Sequence, residues 1–186
     1  FRGVAVGTDL VGPVMRAVGD YGQYELIVRG NLKDRYFPTV EVGYGSADKT
    51  DDATGIRYKT GAPFGRVGID FNVMKNKHDL YRVLVGARYG YTSFNYDIGP
   101  LVIDDPVWRT KATYETTDQK CSYGWFEAVA GIDATLWKFI HLGWSVRYRA
   151  RLHQKIPDVG EPYYAPGYGK KGSSRIGAMF NVMFEF

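Results

Sequence analysis

The chain has 186 residues, a formal net charge of +4, 16% aromatic residues (10 Phe, 4 Trp, 15 Tyr), 23 glycines and a single cysteine. One cysteine excludes an internal disulfide framework, and a mean hydropathy of −0.29 with no run of about 18 apolar residues excludes helical membrane spans. A transmembrane β-barrel survives this test, because its apolar band occupies alternate positions and disappears in an average.

In chain order, eight segments alternate with period two, the signature of strands with one apolar face. Val4, Val6, Thr8 and Leu10 oppose Ala5, Gly7 and Asp9. Tyr24, Leu26 and Val28 oppose Glu25, Ile27 and Arg29, and Val40, Val42 and Tyr44 oppose Thr39, Glu41 and Gly43. Val67, Ile69, Phe71 and Val73 oppose Arg66, Gly68, Asp70 and Asn72. Tyr81, Val83, Val85, Ala87, Tyr89 and Tyr91 oppose Arg82, Leu84, Gly86 and Arg88. Phe126, Ala128, Ala130, Ile132 and Ala134 oppose Glu127, Val129, Gly131 and Asp133. From Ile140 to Leu152 one face is wholly apolar while the other carries Arg147, Arg149 and Arg151. Finally Ile176, Ala178, Phe180, Val182, Phe184 and Phe186 oppose Arg175, Gly177, Met179, Asn181, Met183 and Glu185. No segment shows a competing helical period.

A soluble sandwich or lipocalin-like barrel would alternate in the same way, and three features separate it from a membrane barrel. Links at 31–35, 75–79 and 135–138 are short, whereas the intervening links are long, as in the periplasmic turns and extracellular loops of outer-membrane barrels. Aromatic residues edge the apolar face at both ends: Tyr24, Tyr44, Tyr89, Tyr91 and Tyr148 on the loop side, Tyr81, Phe139, Phe184 and Phe186 on the turn side. The polar face holds seven acids (Asp9, Glu25, Glu41, Asp70, Glu127, Asp133, Glu185) and eight arginines (Arg29, Arg66, Arg82, Arg88, Arg147, Arg149, Arg151, Arg175). Arginine without lysine, opposite near-equal carboxylates, points to a closed and mutually paired interior, because the planar guanidinium suits buried bidentate pairing. The expected fold is all-β: a closed antiparallel eight-stranded transmembrane barrel, occupying residues 1–186 as a single domain.

At the C-terminus, Gly177, Phe180, Val182, Phe184 and Phe186 resemble the β-signal that the barrel assembly machinery reads on outer-membrane proteins. The whole chain resembles the small eight-stranded OmpA, OmpX and OmpW type barrels and is similar to outer-membrane barrels of Bacteroidota. The resemblance implies residence in a bacterial outer membrane. With Phe1 in place of an initiating Met, it also implies export by a removed signal peptide.

Catalytic and ligand motifs are weak. Gly167, Gly169 and Gly172 spell a dinucleotide fingerprint but sit in a Pro/Tyr-rich loop rather than a strand–helix turn. His78, His141 and His153 are too scattered for a metal site, and Asp48, Asp51 and Asp52 lack calcium-loop spacing. A lipid A-modifying enzyme needs a serine–histidine pair at the rim. His153 has only Ser93, Ser122, Ser173 and Ser174 near its level, with no motif joining them. Cys121 is read as idle, with a half-cystine to a partner as the alternative. A barrel of about eight strands is just wide enough to be filled by side chains, so the paired interior argues for a plug over a pore. No cofactor, metal or nucleic acid is expected. Outer-membrane lipid and lipopolysaccharide are expected partners, with Lys170, Lys171 and Arg109 available to phosphates. Other outer-membrane proteins are expected through the apolar loop bearing Pro106 and Trp108 and the loop bearing Tyr163, Tyr164 and Tyr168, with packing of the loops on one another as the equal alternative. The functional expectation is a non-enzymatic structural or accessory subunit, one version of which sits within a complex such as the barrel assembly machinery. A narrow pore and a lipid A-modifying enzyme are the alternatives.

Overall fold

A computed structural model describes residues 2–75, 80–104, 107–108, 110–158 and 160–186. Pro106, His78 and Arg109, and most of the 75–79 link, lie outside the described residues. The elements are β1 (Gly3–Asp9), α1 (Val11–Val18), β2 (Tyr21–Asn31), β3 (Tyr36–Thr50), β4 (Arg57–Asn72), β5 (Tyr81–Asp104), β6 (Lys111–Trp137), β7 (Ile140–Lys155), β8 (Tyr164–Ala165), β9 (Gly169–Lys170) and β10 (Ser174–Glu185). Eight strands close into an antiparallel ring in the order β1-β10-β7-β6-β5-β4-β3-β2, while β8 and β9 form a small separate hairpin. Closure leaves the ring without a lateral edge over the paired stretch, which is how a sheet can stand in lipid with its backbone groups satisfied.

The alternation orients every strand. Val40, Val42, Val67, Val85, Ile132, Trp144 and Val146 are exposed on the outer wall, whereas Glu25, Glu41, Arg66, Asp70, Arg88, Glu127 and Arg147 are buried inside. Aromatics ring the apolar band at the loop end, where Tyr24 pairs with Tyr44 and Tyr89 with Phe126. At the turn end Tyr36 meets Phe71 edge-on at 5.5 Å. The β2–β3 turn is tight because Lys33 and Asp34 both take left-handed backbone angles (φ 58° and 53°). There Asn31 accepts the Asp34 N–H at 2.9 Å and donates to its carboxylate at 2.8 Å.

Three features differ from the sequence expectation. The first is α1, which no period announced: eight residues are too few to display one. Asp9 makes it, accepting the N–H groups of Val11 (3.2 Å) and Gly12 (2.7 Å), while Pro13 is tolerated in the first turn. The second is strand length. β5 and β6 run for 24 and 27 residues, far beyond the roughly 9–11 needed to cross the hydrocarbon. Much of the expected loop bearing Trp108 is therefore strand.

The third difference explains the second, because wall polarity inverts above the loop-side girdle. On β4, Arg66 faces in and Val67 faces out. Further along, Tyr58, Ala62 and Phe64 face in while Arg57 and Lys59 face out. On β5, Tyr89 and Tyr91 face out, but beyond them Phe94 and Tyr96 face in and Ser93 and Asn95 face out. The strand keeps its facing parity and only the residue types swap, so the apolar-outward pattern stops while the strand continues. With Cys121, Tyr123 and Trp125 of β6, these residues form a conventional aromatic core in the outer half of the barrel. The aromatics are thus shared between membrane girdles and a buried core.

Candidate functional site

Within the membrane-level barrel, five arginines and five carboxylates interlock. Glu41 of β3 is the hub. Arg147 of β7 grips it in bidentate fashion (2.7 and 2.9 Å), Arg66 of β4 donates to it at 2.8 Å, and Arg88 of β5 also donates to it. Arg66 further donates to Glu25 at 2.8 Å and lies 3.0 Å from Glu127, which also receives Arg149 at 3.1 Å and the Trp125 indole N–H at 2.8 Å. Toward the turns, Arg88 donates to Asp70 at 2.8 Å, and Arg29 bonds Asp133 and sits 3.7 Å from Asp70. Each strand from β2 to β7 offers only one or two of these groups, and ring closure brings them together from opposite walls. The pairs cross-brace the lumen, and the cavities left around Arg29, Asp133 and Arg88 are about 10 Å³ each, room for roughly one water.

A cork sits on this network. The segment between β7 and β10 turns back into the barrel mouth, burying Pro162, Tyr164, Ala165, Pro166, Gly167 and Tyr168. Its backbone is tied to the charges below: the Gly167 carbonyl accepts Arg66 at 2.8 Å and the Tyr168 carbonyl accepts Arg149 at 3.1 Å. Its rings join the outer core, Tyr168 meeting Tyr123 and Trp125 edge-on at 5.7 and 5.8 Å. Tyr58 donates to the Tyr164 carbonyl at 2.7 Å. Tyr164 and Tyr168, expected on a partner-facing loop, therefore present no surface to a partner. Tyr163 is half-buried against Tyr58 and the Lys49 ammonium. One signal was available: residues 162–168 carry no charge, which is unusual for a solvated loop.

The remaining expected network residues separate into other groups. Asp9 is buried, but its hydrogen bonds go to the backbone N–H groups of Val11, Gly12 and Phe180, so it is a helix cap rather than an ion-pair member. At the turn end Glu185 collects Arg82 (2.8 Å), His141 (3.1 Å) and the Asn31 amide (2.5 Å). Arg151 pairs with Glu161 at the outer rim, and Arg175 donates to the carbonyls of Lys170 and Lys171 at 3.1 and 2.6 Å. The terminal strand is gripped on both sides: Val182 lies between Thr8 and Leu142, Phe184 between Val6 and Ile140, and Phe186 exchanges backbone bonds with Val4. Phe180 faces outward, while Gly177 stands beside Arg149. Trp108, at the tip of the β5–β6 hairpin, is 78% exposed.

Groups that suggest chemistry by type are otherwise engaged. The His153 ring lies near Tyr89 and Tyr91 (6.5 and 6.4 Å) and makes no hydrogen bond to a serine among the described residues. Asp48 is held in a bidentate pair by Arg57, which keeps its carboxyl below the usual range, and Asp51 is turned onto Ala53 and Thr54. Burial in the outer core pushes the Cys121 thiol up to about 11 and leaves it protonated at neutral pH. Among the described residues no group of three His, Cys, Asp or Glu side chains is placed to hold a metal ion.

The chain belongs to the family described as a domain of unknown function, DUF6048, which matches residues 2–186. A comparison with curated proteins finds no match. Among solved structures, the chain is similar to a major outer membrane protein from Thermus thermophilus, at 12% identity and a TM-score of 0.51 over 99% of this chain and 98% of that one. It also matches Ail, the attachment invasion locus protein of Yersinia pestis, solved with the heparin analogue sucrose octasulfate (8% identity, TM-score 0.49, 100% of both chains). A third match is the N-terminal β-barrel domain of Pseudomonas aeruginosa OprF (10% identity, TM-score 0.40, 100% of this chain and 98% of that one). The fold is that of the small outer-membrane β-barrels.

Proposed function

We propose that this chain is a non-enzymatic integral barrel of a bacterial outer membrane, serving as a structural or accessory subunit whose outer face engages partner proteins or lipopolysaccharide. One observation carries the reading: the lumen is closed while a two-stranded ribbon projects beyond it. β4 pairs with β5 only as far as Arg57 opposite Gly99, and β7 pairs with β6 only as far as Lys155 opposite Ser122. Beyond those points β5 and β6 continue with each other alone to Asp104 opposite Lys111. Among the described residues, 112–121 of β6 thus have no strand paired on their outer edge, and Val102, Tyr114, Val107 and Trp108 are exposed on the ribbon and its tip. An open edge of this length is a template for strand addition, and exposed aromatics supply anchors. The cross-braced and corked lumen favours this role over a pore.

The finer version, membership in a larger complex such as the barrel assembly machinery, rests on the resemblance of the whole chain to outer-membrane barrels of Bacteroidota, and the reading of the final strand as an assembly signal rests on Gly177, Phe180, Val182, Phe184 and Phe186. Co-purification in mild detergent tests the role. Wild-type barrel is expected to bring down a larger outer-membrane protein. A variant with residues 99–116 replaced by a two-residue turn is expected to fold, as judged by heat-dependent gel mobility, and to lose that protein. Recovery of the wild-type barrel alone, or an unchanged partner in the shortened variant, overturns the ribbon as the docking element.

A further inference from the structure

The barrel wall is incomplete at one place on the loop side. β1 ends at Asp9, whose partner is Asn181, and its pairing with β2 stops at Thr8 opposite Leu26. β2 nevertheless continues outward to Tyr21 along β3, and β10 to Ser174 along β7. Between residues 21–25 and 174–179 the ring therefore lacks a strand. Helix α1 fills mainly the β2 side of the gap. It lies so close that a Cβ on Gly22 would stand 2.5 Å from the Arg16 nitrogen. On the β10 side a cavity of about 370 Å³ remains, within the size range of small-molecule sites.

That cavity passes through the wall. Its lining includes Gly177 and Met179 from the inner face of β10 together with Ile176 and Ala178 from the outer face, and Ile176 is 76% exposed. The passage lies at the loop-side girdle, since Ile176 is opposite Tyr148. An open strand edge is not tolerated against hydrocarbon, so at this depth its neighbour must be polar where it meets the edge.

The charges in the cavity say of which sign. Arg175 donates only to backbone carbonyls, and the Lys170 ammonium lies over the rings of Tyr21 and Tyr163 at 5.0 and 5.8 Å, neither with a carboxylate partner among the described residues. Arg149 shares Glu127 with Arg66 and Arg147. The one acid in the lining, Asp9, is committed to capping α1. Three cations thus face one space whose acid is already engaged, and Met15, Ile176 and Met179 supply its apolar wall.

We infer that this lateral cavity binds one acylated lipid through its phosphate group. The phosphate lies against Arg175, Lys170 and Arg149, and the acyl part leaves past Ile176 and Ala178 into the membrane. Such a phosphate is carried both by glycerophospholipids and by phosphorylated glycolipids. The inference rests on the barrel being embedded in lipid, which acyl-chain quenching of Trp144 fluorescence tests separately.

Binding is measured by native mass spectrometry on barrel purified in an uncharged detergent, titrated with phosphatidylglycerol, lipid A or zwitterionic phosphatidylcholine. One equivalent of an anionic lipid is expected to bind about tenfold or more tightly than phosphatidylcholine. Whichever of phosphatidylglycerol and lipid A binds more tightly identifies the source. Combined Arg175→Gln and Lys170→Gln substitutions are expected to abolish the preference, while Arg57→Gln, an exposed cation away from the cavity, leaves it intact. Heat-dependent gel mobility verifies folding of each variant. Equal binding of phosphatidylcholine, or wild-type affinity in the doubly substituted barrel, overturns the site. Either result would leave tryptophan quenching unaffected, so its failure is distinct from failure of the membrane reading.

Discussion

Glu41 shows how much a single side chain carries here, since it is fully buried and receives Arg66, Arg88 and Arg147 from three other strands. Removing one partner from a buried ionic set leaves uncompensated charge and costs about 3–5 kcal/mol. Glu41→Gln is therefore expected to destabilise the barrel by about that amount in denaturant titrations in micelles. Adding Arg147→Met should recover part of the loss, because Arg147 would no longer be a stranded cation. A strictly additive double variant would contradict the coupling. The arginine-for-lysine bias made these residues legible as interior before any coordinates. Which carboxylate served as hub was not legible, because it depends on which opposite walls meet after closure.

At the scale of elements, the cork and the helix are the parts that sequence patterns missed. The cork turns on Gly167, whose backbone lies at φ +79° with a hypothetical Cβ only 2.5 Å from the Phe64 ring. Gly167→Val is expected to push the segment out of the mouth. Proteases should then cleave within residues 157–172, while the barrel itself loses no more than about 1–3 kcal/mol. Continued protease resistance in this variant would show that the cork is not held by that turn. Period-two reading could not find the cork, which has almost no regular structure. Nor could it find α1, whose cap Asp9 reads by alternation as one more inward acid. The cork is held by side-chain-to-backbone bonds from residues on other strands, and α1 by a local bond from Asp9 that alternation does not register.

For the whole molecule, the inversion of wall polarity sets the depth of the membrane. Trp144 is outward in the apolar band, Trp125 is fully buried in the outer core, and Trp108 tops the ribbon. In single-tryptophan variants reconstituted into vesicles, lipids brominated on the acyl chain are expected to quench Trp144 strongly and to leave Trp125 and Trp108 nearly unquenched. Equal quenching of all three would refute the placement of the band. The reversal was present in the chain, where Val67 and Arg66 give way to Lys59 and Tyr58 on the same two faces. A search for apolar-outward alternation reads that reversal as the end of a strand, although only the solvent outside it has changed.

By itself the amino-acid order determined the class, the eight membrane-level strands, which face of each met lipid, and the ionic character of the interior. These follow from a two-residue period, which is local and survives any arrangement of the strands. Tertiary structure decided which charges pair, where the β7–β10 segment goes, how far β5 and β6 extend, and that the wall opens beside α1. Each of those depends on register between strands and on closure of the ring, which bring together residues such as Glu41 and Arg147, or Asp9 and Asn181, that no local period connects.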